Sequence, residues 1–245
     1  MNRNITFSFG EYYHIYSRGV DKRKIFLNKR DYDRFVKLLY LANSDESFVF
    51  SEVFGKKGQK GLDEVKKGKE IVSIGAWCLM PNHFHILIKE NHEVGPCASS
   101  KNERSGISLF MQKLLTGYSM YFNTKCHRKG TLFEGKFRAR HLDYDQDLKY
   151  QFTYTHLNPI GIIDSGWKEK YIEDKKKAKD FLDSYEYSSY LDYSGVDRPE
   201  GKILNRSAFP EYFETVVDFQ EMVDEWINFE EDLEVGPKEN IKDTP

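Results

Sequence analysis

The stretch LMPNHFHILI, residues 79–88, places His83 and His85 one residue apart, directly after a Pro81–Asn82 turn. In a β-strand residues two apart share a face. Both imidazoles therefore point one way, while Phe84, Ile86 and Ile88 point the other way, into a core. Two neutral imidazoles held at the turn end of a hairpin can bind one divalent ion. By itself the pattern also fits two ordinary histidines on an exposed sheet face. A histidine-triad nucleotide hydrolase needs a third histidine two positions on, and Leu87 stands there. The second candidate is Tyr154 with Asn158, four apart on one helix face in YDQDLKYQFTYTHLNPIG (144–161). This spacing sets a phenol nucleophile beside an amide oxygen able to act as a third metal ligand. The other helical tyrosines, Tyr118, Tyr121 and Tyr150, have Phe122, Lys125 and Tyr154 at the same offset, none a suitable ligand. Tyr193 has Asp197, but Gly195 lies between them in a loop-like stretch. Asn158 precedes Pro159, which disfavours helical geometry, so its amide also fits a helix C-cap.

Between these two features runs GTLFEGKFRARHLD (130–143), strand-like and basic, with Lys136, Arg138 and Arg140 on alternate positions and hence one face. Together with Arg18 they are candidate DNA phosphate contacts. Tyr13, Phe133 and Phe137 could stack bases, although core packing explains each of them as well. The combination predicts metal-assisted attack by tyrosine on a nucleic-acid phosphodiester. A phenol with a pKa near ~10 is a poor nucleophile at neutral pH. A cation on the scissile phosphate withdraws charge and orients it for in-line attack. Two imidazoles plus an amide leave room for water and phosphate oxygens, which suits Mg2+ or Mn2+ better than a closed zinc site. A covalent phosphotyrosine keeps the bond energy and so permits rejoining. His156 lies near a helix C-terminus, where a dipole contact accounts for it. His14, His92, His127 and His141 have no partner identifiable by spacing.

The elements that must position these groups can be read from periodicity. YYHIYSRGV (12–20) alternates as a strand with His14, Tyr16 and Arg18 on one face. NKRDYDRFVKLLYLAN (28–43) is a helix that Asp31 can cap, with Tyr32, Phe35, Leu38, Leu39 and Ala42 as its apolar stripe. The Lys/Gly-rich stretch 54–70 is expected to be a mobile insertion or an irregular hairpin. Residues 71–80 and 83–90 pair as a hairpin, and 107–125 form a second helix. A third helix begins at Asp145 or Asp147 and stops at Pro159 and Gly161. This order predicts an α+β fold, a ferredoxin-like antiparallel sheet with helices on one face. That domain spans 1–165. The extension 166–245 holds an aromatic-rich segment (184–195), then an acidic amphipathic helix (210–233) expected to dock on the main domain, the alternative being a partner-binding or dimerising helix.

The overall charge of −2 conceals an asymmetry. Residues 206–245 carry three basic and twelve acidic side chains, a net of −9, which leaves +7 on residues 1–205. A basic body with an acidic tail is the pattern of a protein that meets a polyanion. Cys78, Cys97 and Cys126 form no close pair, so neither a disulfide framework nor a CxxC zinc site is indicated, and a reducing cytoplasm fits. The N-terminus is too polar for a signal peptide, and no apolar run approaches a membrane span of ~20 residues.

MPNHFHILI resembles the histidine–hydrophobe–histidine (HUH) motif of single-tyrosine transposases. YHIYSRGV, IFLNKRDYDRF, GTLFEGKFRAR, YTHLNPIG and YEYSSY resemble, in order and spacing, the REP-associated tyrosine transposase branch, over most of residues 10–193. The resemblance implies that His83 and His85 are metal ligands, Tyr154 the nucleophile and Asn158 a neighbour of the metal. It further implies Mg2+ or Mn2+ as cofactor, and single-stranded DNA, often with a hairpin, as partner. The products would be a 5′-phosphotyrosine and a free 3′-OH, made by a monomer or a homodimer. The stretch 54–70 and the acidic C-terminal region fall outside the family's core pattern. One rival is a domesticated DNA-binding protein of the same fold that does not cut. Another is a phosphodiesterase that uses metal-bound water and leaves Tyr154 dispensable.

Overall fold

Three neighbouring strands, β1 (Tyr12–Arg18), β2 (Val72–Met80) and β3 (His83–Glu90), carry apolar side chains to both sheet faces, and a bulge between Ile74 and Ala76 interrupts the alternation of β2. The computed structural model describes residues 5–55, 60–92, 104–168 and 172–228. Helix α1 (Lys29–Ala42) follows β1, α2 (Gly106–Lys125) follows the β2–β3 hairpin, and β4 (Arg138–His141) completes the sheet. The four strands are antiparallel in the order β2-β3-β1-β4. With two covering helices this is the βαββαβ succession of the ferredoxin-like motif.

Three expectations about these elements are corrected. The cap of α1 is Asn28, whose side chain accepts the Asp31 N–H. Asp31 is instead a buried anchor in the first turn. Its carboxylate accepts from the Leu27 N–H (2.9 Å), the Tyr121 hydroxyl (2.8 Å) and the Lys125 ammonium (2.5 and 2.7 Å). The basic strand is confined to β4. Adjacent Leu132 and Phe133 are both buried, which breaks the alternation, and Gly135 turns the chain at φ +66. Lys136 therefore lies on an exposed loop outside the strand. The stretch 54–70, as far as it is described, forms no hairpin. It docks on α1 through buried Leu62 and Val65, and the Tyr40 hydroxyl donates to the Val65 carbonyl at 3.1 Å.

The expectation of helices on one face is also overturned. Helices α1 and α2 bury Phe35, Leu39, Phe110 and Leu114 against Ile15, Phe84, Ile86 and Ile88. The opposite sheet face presents Ala76 and Leu87, apolar groups that also need cover. Helix α3 (Asp145–Leu157) covers them through Leu148 and Phe152, joined by α4 (Lys175–Ser184) and α5 (Val216–Asn228). Gly75 permits this close approach, since a Cβ there would lie 2.8 Å from Phe209 and 2.9 Å from Phe152.

The core thus runs on beyond residue 165, through Trp167, Leu182, Tyr190 and Phe219. The segment after α4 follows the outer edge of β2, where Leu79 N–H donates to the Tyr187 carbonyl and Ser189 N–H to that of Trp77, both at 2.9 Å. Helix α5 begins at Val216, later than the expected 210. A reciprocal cap sets that start: the Thr215 hydroxyl accepts from Asp218 N–H, and the Asp218 carboxylate accepts from Thr215 N–H. The expected continuation to 233 and the acidic tail beyond 228 lie outside the described residues. Cys78 and Cys126 are free thiols, and Cys97 lies outside the described residues. Among the described residues no helix is long and apolar enough to cross a membrane.

Candidate active site

Strand register assembles the site. Across the sheet, Arg138 of β4 lies opposite Tyr16 of β1, Tyr16 opposite His85 of β3, and His85 opposite Cys78 of β2. The adjacent row sets Arg18 opposite His83. Directly opposed residues share a face, so these groups stand on the sheet face where α3 brings Tyr154 against His85.

His83 and His85 share that face, with ring centroids 5.0 Å apart and planes nearly perpendicular. The Nδ1 of His83 lies 2.7 Å from Oδ1 of Asn82, and the Asn82 amide nitrogen is itself anchored to the Lys22 carbonyl at 3.3 Å. The Nδ1 of His85 lies 2.8 Å from Nε2 of His14. The other nitrogen of His85, Nε2, is buried without a partner. Desolvation lowers all three histidines, assisted by nearby cationic groups: His83 to about 4, His14 to about 3, and His85 well below the usual value. The imidazoles are neutral at pH 7, the form that binds a metal.

Tyr154, on the inward face of α3, lies edge-on to His85 with centroids 5.8 Å apart. Trp167 stacks on it at 6.1 Å, and Lys168 donates a hydrogen bond to its hydroxyl. Burial pushes the phenol well above its ordinary value, and the Asn158 amide beside it acts in the opposite direction. Desolvation brings the Lys168 ammonium down to about 8. Asn158 keeps right-handed helical geometry (φ −52, ψ −35) despite Pro159 and starts the short 3-10 turn Asn158–Ile162. Its side chain is buried, and Nδ2 has no hydrogen-bond partner. An unpartnered buried N–H is costly; the amide sits beside the Tyr154 phenol and acts to lower its pKa.

Among the described residues no group of three or more His, Cys, Asp or Glu surrounds one point. The available donors are the two imidazoles and the amide. A bare, buried His85 Nε2 fits a divalent cation whose remaining positions go to an amide oxygen, water or phosphate, whereas the unsatisfied Asn158 Nδ2 is an N–H donor that suits a phosphate oxygen.

The basic candidates divide. Arg18 is ion-paired to Glu134, and Arg140 to Asp147 at 3.2 Å. Arg138 is exposed on the row of Tyr16 and His85, whereas Lys136 lies off the strand. Tyr13, Phe133 and Phe137 are core residues. His156 is neutral and buried, lowered to about 3 by desolvation, with Nε2 2.8 Å from the Ser189 hydroxyl. A charged dipole contact therefore does not explain it. Spacing alone misses His14 and Lys168. Alternation already places His14 on the face of Tyr16 and Arg18, but only the β1–β3 register brings it to His85.

No protein-family model matches the chain, and no curated protein matches its sequence. Among solved structures, the chain is similar to a REP-associated tyrosine transposase bound to a REP hairpin, at 13% identity and a TM-score of 0.43. The match covers 86% of this chain and 97% of that one. A superposition that loose carries no conclusion about function; what stands is a four-stranded antiparallel α+β fold with a histidine–tyrosine cluster on one sheet face.

Proposed function

We propose that the protein nicks and rejoins single-stranded DNA, including strand folded into a hairpin, through a 5′-phosphotyrosine on Tyr154. The carrying observation is Tyr154 edge-on to His85, whose buried Nε2 is bare. The ordered motifs that resemble REP-associated tyrosine transposases support the same reading. So does the net +7 of residues 1–205.

His83, His85 and Asn158 would hold Mg2+ or Mn2+, which supplies Lewis-acid stabilisation of the scissile phosphate and the departing 3′-oxygen. The chain's own groups do the rest. The Tyr154 hydroxyl gives up its proton to solvent as its oxygen forms the new bond to phosphorus. The bond to the 3′-oxygen breaks, and that oxygen takes a proton from solvent and leaves as a hydroxyl. Lys168 hydrogen-bonds the phenol oxygen and offsets the negative charge that its burial disfavours. Exposed Arg138 would meet the backbone, and Arg18 and Arg140 would do so by exchanging their carboxylate partners. Reversal by a second 3′-hydroxyl rejoins the strand.

Burial of Tyr154, at 5% exposure, favours a second reading, a DNA-binding protein of the same fold that does not cut. A chelator-controlled cleavage assay on labelled single-stranded DNA separates the two. The wild type should cut with Mn2+ or Mg2+ and stop with EDTA, while His83→Ala and His85→Ala fold but do not cut. Cleavage by both variants with unchanged metal dependence would place the site elsewhere, and binding without cleavage by the wild type would favour the binder.

A further inference from the structure

Each histidine of the pair has one nitrogen engaged. For His83 the partner is Oδ1 of Asn82, whose orientation is fixed because Nδ2 of the same amide donates to the Lys22 carbonyl. An amide oxygen only accepts. His83 must therefore carry its proton on Nδ1, which leaves Nε2 with a lone pair. For His85 the partner is another imidazole, that of His14, 2.8 Å away and only 13° from coplanar. One proton must lie between two neutral rings in such a contact, and either ring could supply it.

The surroundings break that tie. If His14 donated, the proton of His85 would sit on Nε2, which is buried without any acceptor. Such a stranded donor is costly. If His85 donates, His14 carries its own proton on Nδ1, and that atom is not among the buried groups lacking a partner. His14 is a diagonal neighbour of His85 on the shared sheet face, since Tyr16 and not His14 stands directly opposite. The contact is therefore built by strand register.

We propose that His14 is a positioning residue that accepts the Nδ1 proton of His85 and so fixes the tautomer whose bare Nε2 faces the site. Its role toward His85 matches that of Asn82 toward His83, and both imidazoles then present the same nitrogen. The consequence for metal binding rests on the function proposed above, whereas the tautomer itself does not. A partner of this kind orients a ligand and raises its basicity, and its loss typically weakens metal affinity by about 10–100-fold.

Two measurements on the full chain keep the tautomer and the metal apart. Long-range 1H–15N NMR of the metal-free protein should show His85 protonated at Nδ1. His85 protonated at Nε2 in the wild type overturns the proposal. Mn2+ titration followed by EPR should show binding about 10–100-fold weaker in His14→Phe, which keeps a ring but no acceptor. His14→Gln, which restores a carbonyl acceptor, should bind within a few-fold of wild type and guards against simple misfolding. Wild-type Mn2+ affinity in a folded His14→Phe would also overturn the role. Nδ1 protonation of His85 in a protein that takes up no Mn2+ would sustain the tautomer and refute the metal reading instead.

Discussion

Burial sets the charge state of the site residues before any ligand arrives. His14, His83 and His156 are lowered to about 3, 4 and 3, and His85 falls well below its usual value, in each case chiefly by desolvation. Unfolded histidines take up protons near pH ~6.5. Between there and about 4 the unfolded chain binds more protons, so stability falls as the pH drops through that window. Urea midpoints should decline from pH 7 to 5, before most carboxylates titrate; a flat midpoint would contradict neutral burial of these rings. Lys168, lowered to about 8, follows the same sign at higher pH: the unfolded chain holds the extra proton, so its contribution to stability rises from about 8 towards ~10.5. Removing its bond to Tyr154 in Lys168→Met should slow covalent adduct formation about tenfold or more. An unchanged single-turnover rate would show that Lys168 has no part in the attack.

At the scale of elements, α1 and α2 were legible from their apolar stripes, the hairpin from its apolar runs around Pro81–Asn82, and α3 from its acidic start and its Pro159 and Gly161 stop. Tyr154 and Asn158 could be paired because an offset of four shares a helix face. The His14–His85 contact could not be read, since cross-strand register depends on which strands neighbour one another. The second covering layer was equally hidden: Trp167, Phe209 and Phe219 are scattered in sequence and meet only on the finished sheet. Asp31 shows what such hidden contacts contribute. Fully buried, it ties the start of α1 to Lys125 and Tyr121 of α2, on the sheet face opposite the site. Asp31→Ala leaves Lys125 and the Leu27 N–H without their acceptor and should cost about 3–5 kcal/mol in urea unfolding. Mn2+ affinity of the folded fraction should be unchanged. A loss below about 1 kcal/mol would mean that water replaces the carboxylate.

For the whole molecule, charge and core divide at different places. The acidic excess begins at 206, yet Phe209, Phe219, Met222 and Val223 belong to the core over α3. Truncation at 205 should therefore unfold the layer that holds Tyr154. Ending the chain at 228 removes six acidic and two basic residues and keeps every described residue of that layer. The shorter chain should bind single-stranded DNA at least as well as the full one, since a competing polyanion is gone. In both, raising salt from 50 to 200 mM should weaken binding about tenfold or more, as release of counterions from roughly three phosphate contacts requires. Salt-independent binding would place the basic face outside the DNA site.

The central claim, that Tyr154 is the attacking group, is tested most directly by mapping the adduct. Metal-activated protein is incubated with labelled single-stranded DNA, digested, and the nucleotide-bearing peptide sequenced by mass spectrometry. The account predicts a phosphonucleotide on Tyr154, none in Tyr154→Phe despite wild-type DNA binding, and normal adducts in Tyr118→Phe, Tyr121→Phe and Tyr150→Phe. A nucleotide on any other tyrosine, or continued cutting by Tyr154→Phe without an adduct, would contradict it.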